Sequence, residues 1–367
     1  MNRAGPLARI RVVELGGIGP APFCAMMLAD MGADVVRVER AGGGPELPLD
    51  PARNILHRGR RTLTLDLKQP DGRDMLLALA EHADVLLEGF RPRVMERLGL
   101  GPDAVHALNP RLVYARMTGW GQDGPLADRA GHDINYLALS GTLWMCGRAD
   151  ERPSPNLNIG ADMGGGGMMM AFGIAAALLH AARTGEGQVI DAAMLDGAGL
   201  IAIQAHALRA MGLWEDARGA NLLDGGAPFY DVYEAACCGF VAVGAIEPDF
   251  YAQLIAGLGL ERADLPHQHD RSRWPELKAR FAAAFATRTR DEWAEAFAET
   301  DACVTPVLTP AEAAEHPHNR ARATWRTFGK VAEPLPAPRF SVTPGGIAAC
   351  PPVRASDAAA ILTEWRR

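Results

Sequence analysis

The stretch GHDINYLALSG at positions 131–141 places His132, Asp133, Asn135 and Tyr136 at the head of a segment that otherwise reads as core. An imidazole titrates near neutral pH, so His132 could take or give a proton under ordinary conditions. A surface loop would explain the same residues, as would a satisfied core histidine. A second stretch, NLNIGADMGGGGMMM at 156–170, sets Asp162 immediately before a predicted helix and follows it with Gly164, Gly165, Gly166 and Gly167. Each glycine costs a helix up to about 1 kcal/mol relative to alanine, so something must offset the run. Glycines let a ligand or another backbone come very close. An oxyanion meeting free helix N–H groups would serve; the plainer reading of Asp162 is an N-cap. In VGAIEPDFY, 243–251, Glu247 ends a strand just before a proline, and alone it reads best as a helix-entry carboxylate.

The basic residues fall at strand ends. Arg40 ends the second predicted strand, Arg60 and Arg61 precede the third, Lys68 ends it, Arg91 follows the fourth, and Arg97 lies one helical stretch further on. In an open α/β sheet, ligands bind beyond the carboxyl ends of the strands. Several cations there suit a multiply phosphorylated ligand, arginine by bidentate geometry and lysine as a point charge. Any one alone could be a solvated surface charge. The turn ELGGIGPAP, 14–22, resembles a dinucleotide fingerprint in Gly17 and Gly19, with Glu39 about where a ribose-binding acid would sit. Pro22 occupies the third glycine position, which argues for a tight strand-to-helix turn and against NAD.

These residues need a scaffold. RIRVVEL, DVVRVER, RTLTLDLK, DVLLEGF and RLVYARMTGWG read as five strands. Helical patterns lie between them in PAPFCAMMLADMGA and in DGRDMLLALAEHA, the latter opening on an Asp cap. Strands alternating with helices imply a mostly parallel, Rossmann-like sheet covered on both faces. Residues 168–183 read as a buried helix, QVIDAAM as a strand, and DGAGLIAIQAHALRAMGLW as one further helix. After GANLLDGGAP, two strands around Cys238 and Gly239 and the helices FYAQLIAGLGL and ELKARFAAAFA suggest a smaller α+β domain. The fold class is therefore α/β. The expected large domain spans 1–190 plus 335–367, a linker helix and loop 191–227, the small domain 228–318, and a return linker 319–334.

Composition excludes some functions. The 367 residues are 48% hydrophobic with a formal charge of −7, which gives no domain-wide basic surplus for nucleic acid. No membrane span is expected, since the apolar stretch from Met168 to Leu179 is too short. The start lacks a signal-peptide pattern, and a cytoplasmic location is expected. The six cysteines form no CxxC pair and read mostly as small buried hydrophobes. His267 with His269 and His316 with His318 form HxH pairs in polar loops, read as surface or capping residues and not as metal ligands.

Together RVVELGGIGPAP, ADVVRVER, LTLDLK, DVLLEGFRP, ERLGLGP, RLVYARMTGWGQDGP, GHDINYLALSG, the glycine run after Asp162, TGEGQVIDAAM, GGAPFYDVYE, VAVGAIEPDFY, DACVTPVL and APRFS resemble the family III CoA transferases (CaiB/BaiF). Within that superfamily they resemble the α-methylacyl-CoA racemases, with GHDINY as the racemase-type signature. The resemblance covers nearly the whole chain. It implies a large Rossmann-like domain built from both chain ends, a smaller domain inserted, and two subunits interlocked as a homodimer. It implies a 2-methylacyl-CoA thioester as substrate and no metal or redox cofactor, coenzyme A being part of the substrate. Family CoA contacts would map onto Arg40, Leu65, Asp66, Leu67, Lys68, Gly89, Phe90, Arg91, Arg97, Gly131, Asp133, Ile134, Asn135 and Tyr136.

The same resemblance implies roles. His132 and Asp162 would face opposite sides of the substrate α-carbon, one removing the proton and the other returning it. Asp162 must serve as base and as acid, so its surroundings should raise its pKa. Glu247 would orient His132, Asp133 and Tyr136 would position the base and the thioester, and N–H groups opening the glycine-rich helix would hold the enolate oxygen. Methionines 163, 168, 169 and 170, read from the sequence itself, suggest an adaptable surface for the acyl chain or, equally, helix core. The family usually has glycine before this aspartate. Here Ala161 stands there, and it would be strained if that position needs positive φ, unless the loop bends at Gly160 instead. The nearest rival is a CoA transferase in which Asp162 is the nucleophile and forms an aspartyl-CoA thioester. A non-catalytic CoA-binding protein is a further alternative.

Overall fold

The computed structural model describes residues 4–40, 53–236, 238–348, 353–354 and 357–366. Cys237 and Cys350 lie outside the described residues. The first half alternates strand and helix: β1 (Arg11–Leu15), α1 (Pro20–Asp30), β2 (Asp34–Arg40), β3 (Arg60–Leu65), α2 (Pro70–Glu81), β4 (Val85–Glu88), α3 (Val94–Arg97), α4 (Pro102–Leu108) and β5 (Val113–Thr118). The apolar runs VVEL, VVRV, VLLE and VYARMT are buried along almost their whole length, because helices cover both faces of the sheet. Asp71 is not the cap of α2. Gln69 holds that position without a side-chain bond, and Pro70 supplies the preset φ of the first turn.

Next come α5 (Asp133–Leu139), a wide π-type helix (Ile159–Met168) running directly into α6 (Met169–Thr184), then β6 (Val189–Ala193), α7 (Met194–Ile201) and α8 (Ile203–Ala210). The single helix expected over 196–214 is therefore two, broken at Ala202. Nor is 168–183 a buried helix. Only Met170, Ile174, Ala177 and Ala181 of α6 are buried, and Phe172 is 71% exposed. The glycine run is itself helical, so the helix spans Ile159–Thr184 and is long and apolar enough, by length and composition alone, to cross a membrane. The expectation that no such segment exists does not hold. Its buried face packs as a core helix does, with Met170, Ile174 and Ala177 in one cluster with Val12, Val35, Val85 and Val113 of the sheet.

The chain continues with β7 (Tyr230–Glu234), β8 (Phe240–Gly244), α9 (Pro248–Gly257), α10 (Trp274–Phe285), α11 (Arg290–Ala296) and β9 (Val304–Pro306). These strands form an antiparallel sheet, and Phe229, Tyr233, Tyr251, Trp274, Phe281, Phe285 and Trp293 make a separate aromatic core under it. The chain then runs through α12 (Pro310–Glu315), α13 (Pro317–Ala321), the hairpin β10 (Trp325–Phe328) and β11 (Val331–Pro334), β12 (Val353–Arg354) and α14 (Ala358–Trp365). The C-terminal β12 adds to the large sheet beside β3, and α14 packs on the face that also holds α2.

The large sheet has the order β12-β3-β2-β1-β4-β5-β6, with every recorded pair parallel. The chain moves outward from β1 to β3 and then returns to place β4 on the other side of β1. Loops leaving β1 and β4 therefore part in opposite directions and leave a crevice between them, the switch point where such sheets bind ligands.

Candidate active site

A cleft of about 480 Å³ opens at that crevice. Residues 17–21, after β1, form one wall, and residues 89–92, after β4, form another. Met117 and Thr118 at the end of β5 line the cleft, Trp120, Arg129, Gly131, His132 and Tyr136 come from the segment after β5, and Asp162 and Met194 also face it. His132 and Asp162, thirty positions apart in sequence, thus share one cavity.

His132 is exposed at the start of α5, where the Asn135 amide oxygen accepts its backbone N–H at 3.0 Å. Asp162 lies inside the first turns of the π-type helix, not before it, so it is not the N-cap. Asn158 holds the N-cap position without a side-chain bond. The open amides of the first turn are met instead by Asp133 of α5, whose Oδ1 accepts from the N–H groups of Ala161 (2.8 Å) and Asp162 (2.7 Å). These two N–H groups are thereby spent and are not free to hold an oxyanion. Asp133 Oδ2 is buried without a hydrogen-bond partner. Burial pushes the Asp162 carboxyl up from its usual range, and the neighbouring Asp133 charge adds to the effect. A 3.5 Å bond from Asn158 and the charge of His132 oppose it. Tyr136 is buried edge-on against Trp120, with ring centroids 4.7 Å apart. Burial, then Asp162 and Asp133, push its hydroxyl up to about 12, so it stays a neutral donor.

Ala161 carries no strain. It is absent from the residues with positive φ, and it sits fully buried inside the helix. The glycines after it answer to packing, not to a ligand. A Cβ on Gly165 would lie 2.6 Å from the Ala198 nitrogen, and one on Gly197 only 1.8 Å from the Gly165 carbonyl oxygen. Gly166 and Gly167 similarly abut Pro20 and Phe23 of α1. Helix α7 and helix α1 approach the π-type helix backbone to backbone, which only glycine allows.

The ELGGIGPAP turn, read from sequence as a tight turn or an imperfect nucleotide fingerprint, is a cavity wall. Gly19 has φ +73°, and a Cβ there would lie 3.4 Å from Asp162 Oδ2. Pro20 and Pro22 remove two of the first amide donors of α1, which disfavours an anion at that helix end. Behind the turn, Arg37 donates to the Gly17 carbonyl (3.1 Å) and to Glu14. Arg60 is wholly buried, bridging both Glu14 oxygens at 2.7 Å and the Pro22 carbonyl at 2.6 Å. Arg61 pairs with Asp34 and Glu364. Neither arginine belongs to a phosphate cluster, because both start β3 and so sit at the amino end of a parallel strand.

Arg40, Lys68, Arg91 and Arg97 are exposed at the carboxyl edge, where Arg40 stands in register with Leu65. Of the expected contacts, Gly89, Phe90, Arg91, Gly131 and Tyr136 line the cleft with His132. Leu65 and Leu67 instead pack on the core, Asp66 caps the Lys68 N–H at 3.0 Å, and Asp133 is spent on the helix. Ile134 and Asn135 are exposed on α5. Glu247 is at the N-cap of α9, beside Cys303 and outside the His132 cavity of its own chain. Methionines 163, 168, 169 and 170 do not line the cleft, and Met170 is wholly buried; Met117 and Met194 line it in their place. Cys24 is buried as expected, whereas Cys238 and Cys303 are exposed, both with positive φ. Among the described residues no group of three His, Cys, Asp or Glu side chains is placed to hold a metal.

The family model for CoA-transferase family III matches residues 7–357. The chain belongs to that family. It is 52% identical to the alpha-methylacyl-CoA racemases of Mus musculus and Homo sapiens, over 92% of this chain and 87% of each of theirs. A crystal structure of a CaiB/BaiF family protein from Brucella suis superimposes with a TM-score of 0.83 at 26% identity, covering 99% of this chain and all of that one. The α/β fold with a large parallel sheet is thus the fold of the family.

Proposed function

We propose that this chain is an isomerase, a racemase that interconverts (R)- and (S)-2-methylacyl-CoA thioesters by 1,1-proton transfer. The observation that carries the reading is the placement of His132 and Asp162 in one cavity at the sheet's switch point, in a chain 52% identical to named racemases. One group removes the α-proton, leaving a thioester enolate, and the other returns a proton to the opposite face. A base works best with a pKa near the operating pH, and the upward push on Asp162 moves it in that direction. Tyr136 stays protonated and can donate to the thioester oxygen as charge develops there. Exposed Arg40, Lys68, Arg91 and Arg97 at the strand ends suit the phosphates of coenzyme A. No separate cofactor is required in this scheme.

The reading includes a homodimer. The apolar side chains Phe172, Leu200, Ile203, Met211 and Leu213 on and after α6, α7 and α8 are all more than half exposed in the single chain. An apolar surface of that extent supports association with a second copy. Glu247 can meet His132 only if the second subunit brings it. A cytoplasmic location belongs to the same reading.

The test is α-proton exchange in deuterium oxide with each enantiomer of a 2-methylacyl-CoA and no acceptor acid, followed by NMR and chiral analysis. Exchange with conversion from both sides is expected. No exchange, with CoA movement once a free acid is added, would replace the racemase by a family III CoA transferase with Asp162 as nucleophile.

A further inference from the structure

We propose that Arg116, which lies behind the cleft and does not line it, is a positioning residue for the phosphate-bearing end of the acyl-CoA. This rests on the reading that the segment 89–97 faces coenzyme A. Arg116 is a charged side chain in the middle of β5, a strand buried along all six of its residues. It stands in register with Glu88, the last residue of β4. Its Nε donates to Glu88 Oε1 at 3.1 Å. Its two terminal nitrogens grip Glu96 of α3 as a fork, Nη1 to Oε1 at 2.8 Å and Nη2 to Oε2 at 3.2 Å. Glu88 is completely buried, and its second oxygen accepts the Phe90 N–H at 2.7 Å, closing the turn over Gly89.

One guanidinium therefore ties down two segments. Through Glu88 it fixes the turn that presents Gly89, Phe90 and Arg91. Through Glu96 it fixes the short helix α3, whose last residue is Arg97. The same strand face reinforces the grip: Tyr114 lies under the Arg116 guanidinium and donates to the Leu100 carbonyl at 2.9 Å, just beyond α3. Besides this network, the segment 89–97 is anchored by Met95, which is wholly buried in the core against which Phe90 also packs. Arg93 adopts φ +64° to enter α3, and a four-residue helix does not hold its own shape. Outward, Arg93 pairs with Asp128, and Arg91 donates to the Asp128 carbonyl at 3.5 Å.

A buried ion network is a poor way to gain stability, because desolvation offsets much of the attraction. It is a good way to specify geometry, since a planar fork satisfied on three nitrogens leaves few arrangements open. Lysine at this position would keep the charge and lose the ability to hold both carboxylates at once.

The experiment uses the full-length protein. Calorimetry gives the Kd of free CoA, and the exchange assay gives kcat and KM for a 2-methylacyl-CoA and for the matching acyl-pantetheine, which lacks the phosphates. Arg116→Lys is expected to weaken CoA and raise KM for the CoA thioester by about tenfold, the usual scale for losing one charge-assisted hydrogen bond. Its KM for the pantetheine thioester should stay within about twofold of wild type, as should kcat for both, that being the scatter of such comparisons. The half-exposed Glu96→Gln should show the same split more weakly, and it decides the matter should Arg116→Lys not fold. The effect should vanish in an Arg91→Ala/Arg97→Ala background, where there is nothing left to position. Unchanged CoA affinity in a folded variant, or equal losses for both thioesters, would overturn the proposal and leave Arg116 a purely structural residue. Failure of the premise is seen separately, in the wild type: equal KM for the two thioesters would show that the phosphates are not read at all. The Kd for CoA does not depend on turnover, so it remains decisive even if the racemase reading fails.

Discussion

Gly197→Ala is the sharpest test of how the site is built. The added Cβ would stand 1.8 Å from the Gly165 carbonyl oxygen, where a close C···O contact is about 3.3 Å. The two backbones would have to part by about 1.5 Å, the difference of those distances. Neither partner is a side chain that can rotate away, so the cost belongs at the upper end of overpacking, about 3 kcal/mol or more. The displacement reaches the chemistry as well. Met194 opens α7 on the cavity wall, and Asp162 precedes Gly165 by three residues in the same helix. A misplacement of about 1 Å at a reacting group can cost roughly a hundredfold in rate. Gly173→Ala is the control, because its Cβ would meet Ile190 at an ordinary 3.6 Å. In mid-helix it should stabilise by roughly 0.5–1 kcal/mol. Urea unfolding at fixed protein concentration, with α-proton exchange measured where each variant is folded, reads both effects. If Gly197→Ala matched wild type within about 1 kcal/mol, ordinary surface-level scatter, with unchanged exchange, the backbone-approach account of the glycines would be wrong. The ligand account of that run would then reopen.

Asp133→Asn should keep an oxygen for the Ala161 and Asp162 N–H groups while removing a charge that helps hold the Asp162 pKa up. Activity that needs the Asp162 carboxylate is lost as pH falls through its pKa, so the acid limb of the rate profile should move to lower pH. A limb that stays put or rises refutes that role for Asp133. Gly19→Ala places a methyl 3.4 Å from Asp162 Oδ2 at φ +73°, and should lower kcat with little change in KM; the steady-state constants decide. Subunits carrying Asp162→Asn mixed with subunits carrying Glu247→Gln should regain exchange activity that neither has alone, if Glu247 serves the partner's cavity. Dimers that form and stay inactive would exclude Glu247 from that task.

Sequence patterning made the large sheet legible because a strand covered on both faces must be apolar almost throughout, and runs such as VVEL and VLLE have no other use. It also located the cleft, since residues after β4 and after β5 in a parallel sheet emerge at one edge. Arg91 follows from that rule directly, whereas His132 is marked by its residue type and motif. Periodicity reported less well on helices whose apolar residues stay exposed in the single chain. That is why 168–183 read as buried core while Phe172 stands in the open.

Residue types alone determined that an imidazole, a carboxylate and a set of cations were available, and on which side of the sheet most of them would lie. Only the tertiary structure decided which charges were spent. Arg60 and Arg91 look alike in sequence, yet Arg60 is locked onto Glu14 while Arg91 faces the cleft. Asp133 and Asp162 look alike, yet one meets the open amides of a helix's first turn and the other faces the cavity. The glycine run looked ready for an oxyanion and was filled by the backbone of α7. The physical reason is common to all three. Composition and spacing constrain neighbours along the chain, whereas burial, pairing and close approach depend on strand order, which brings together residues 23, 29 or 46 positions apart.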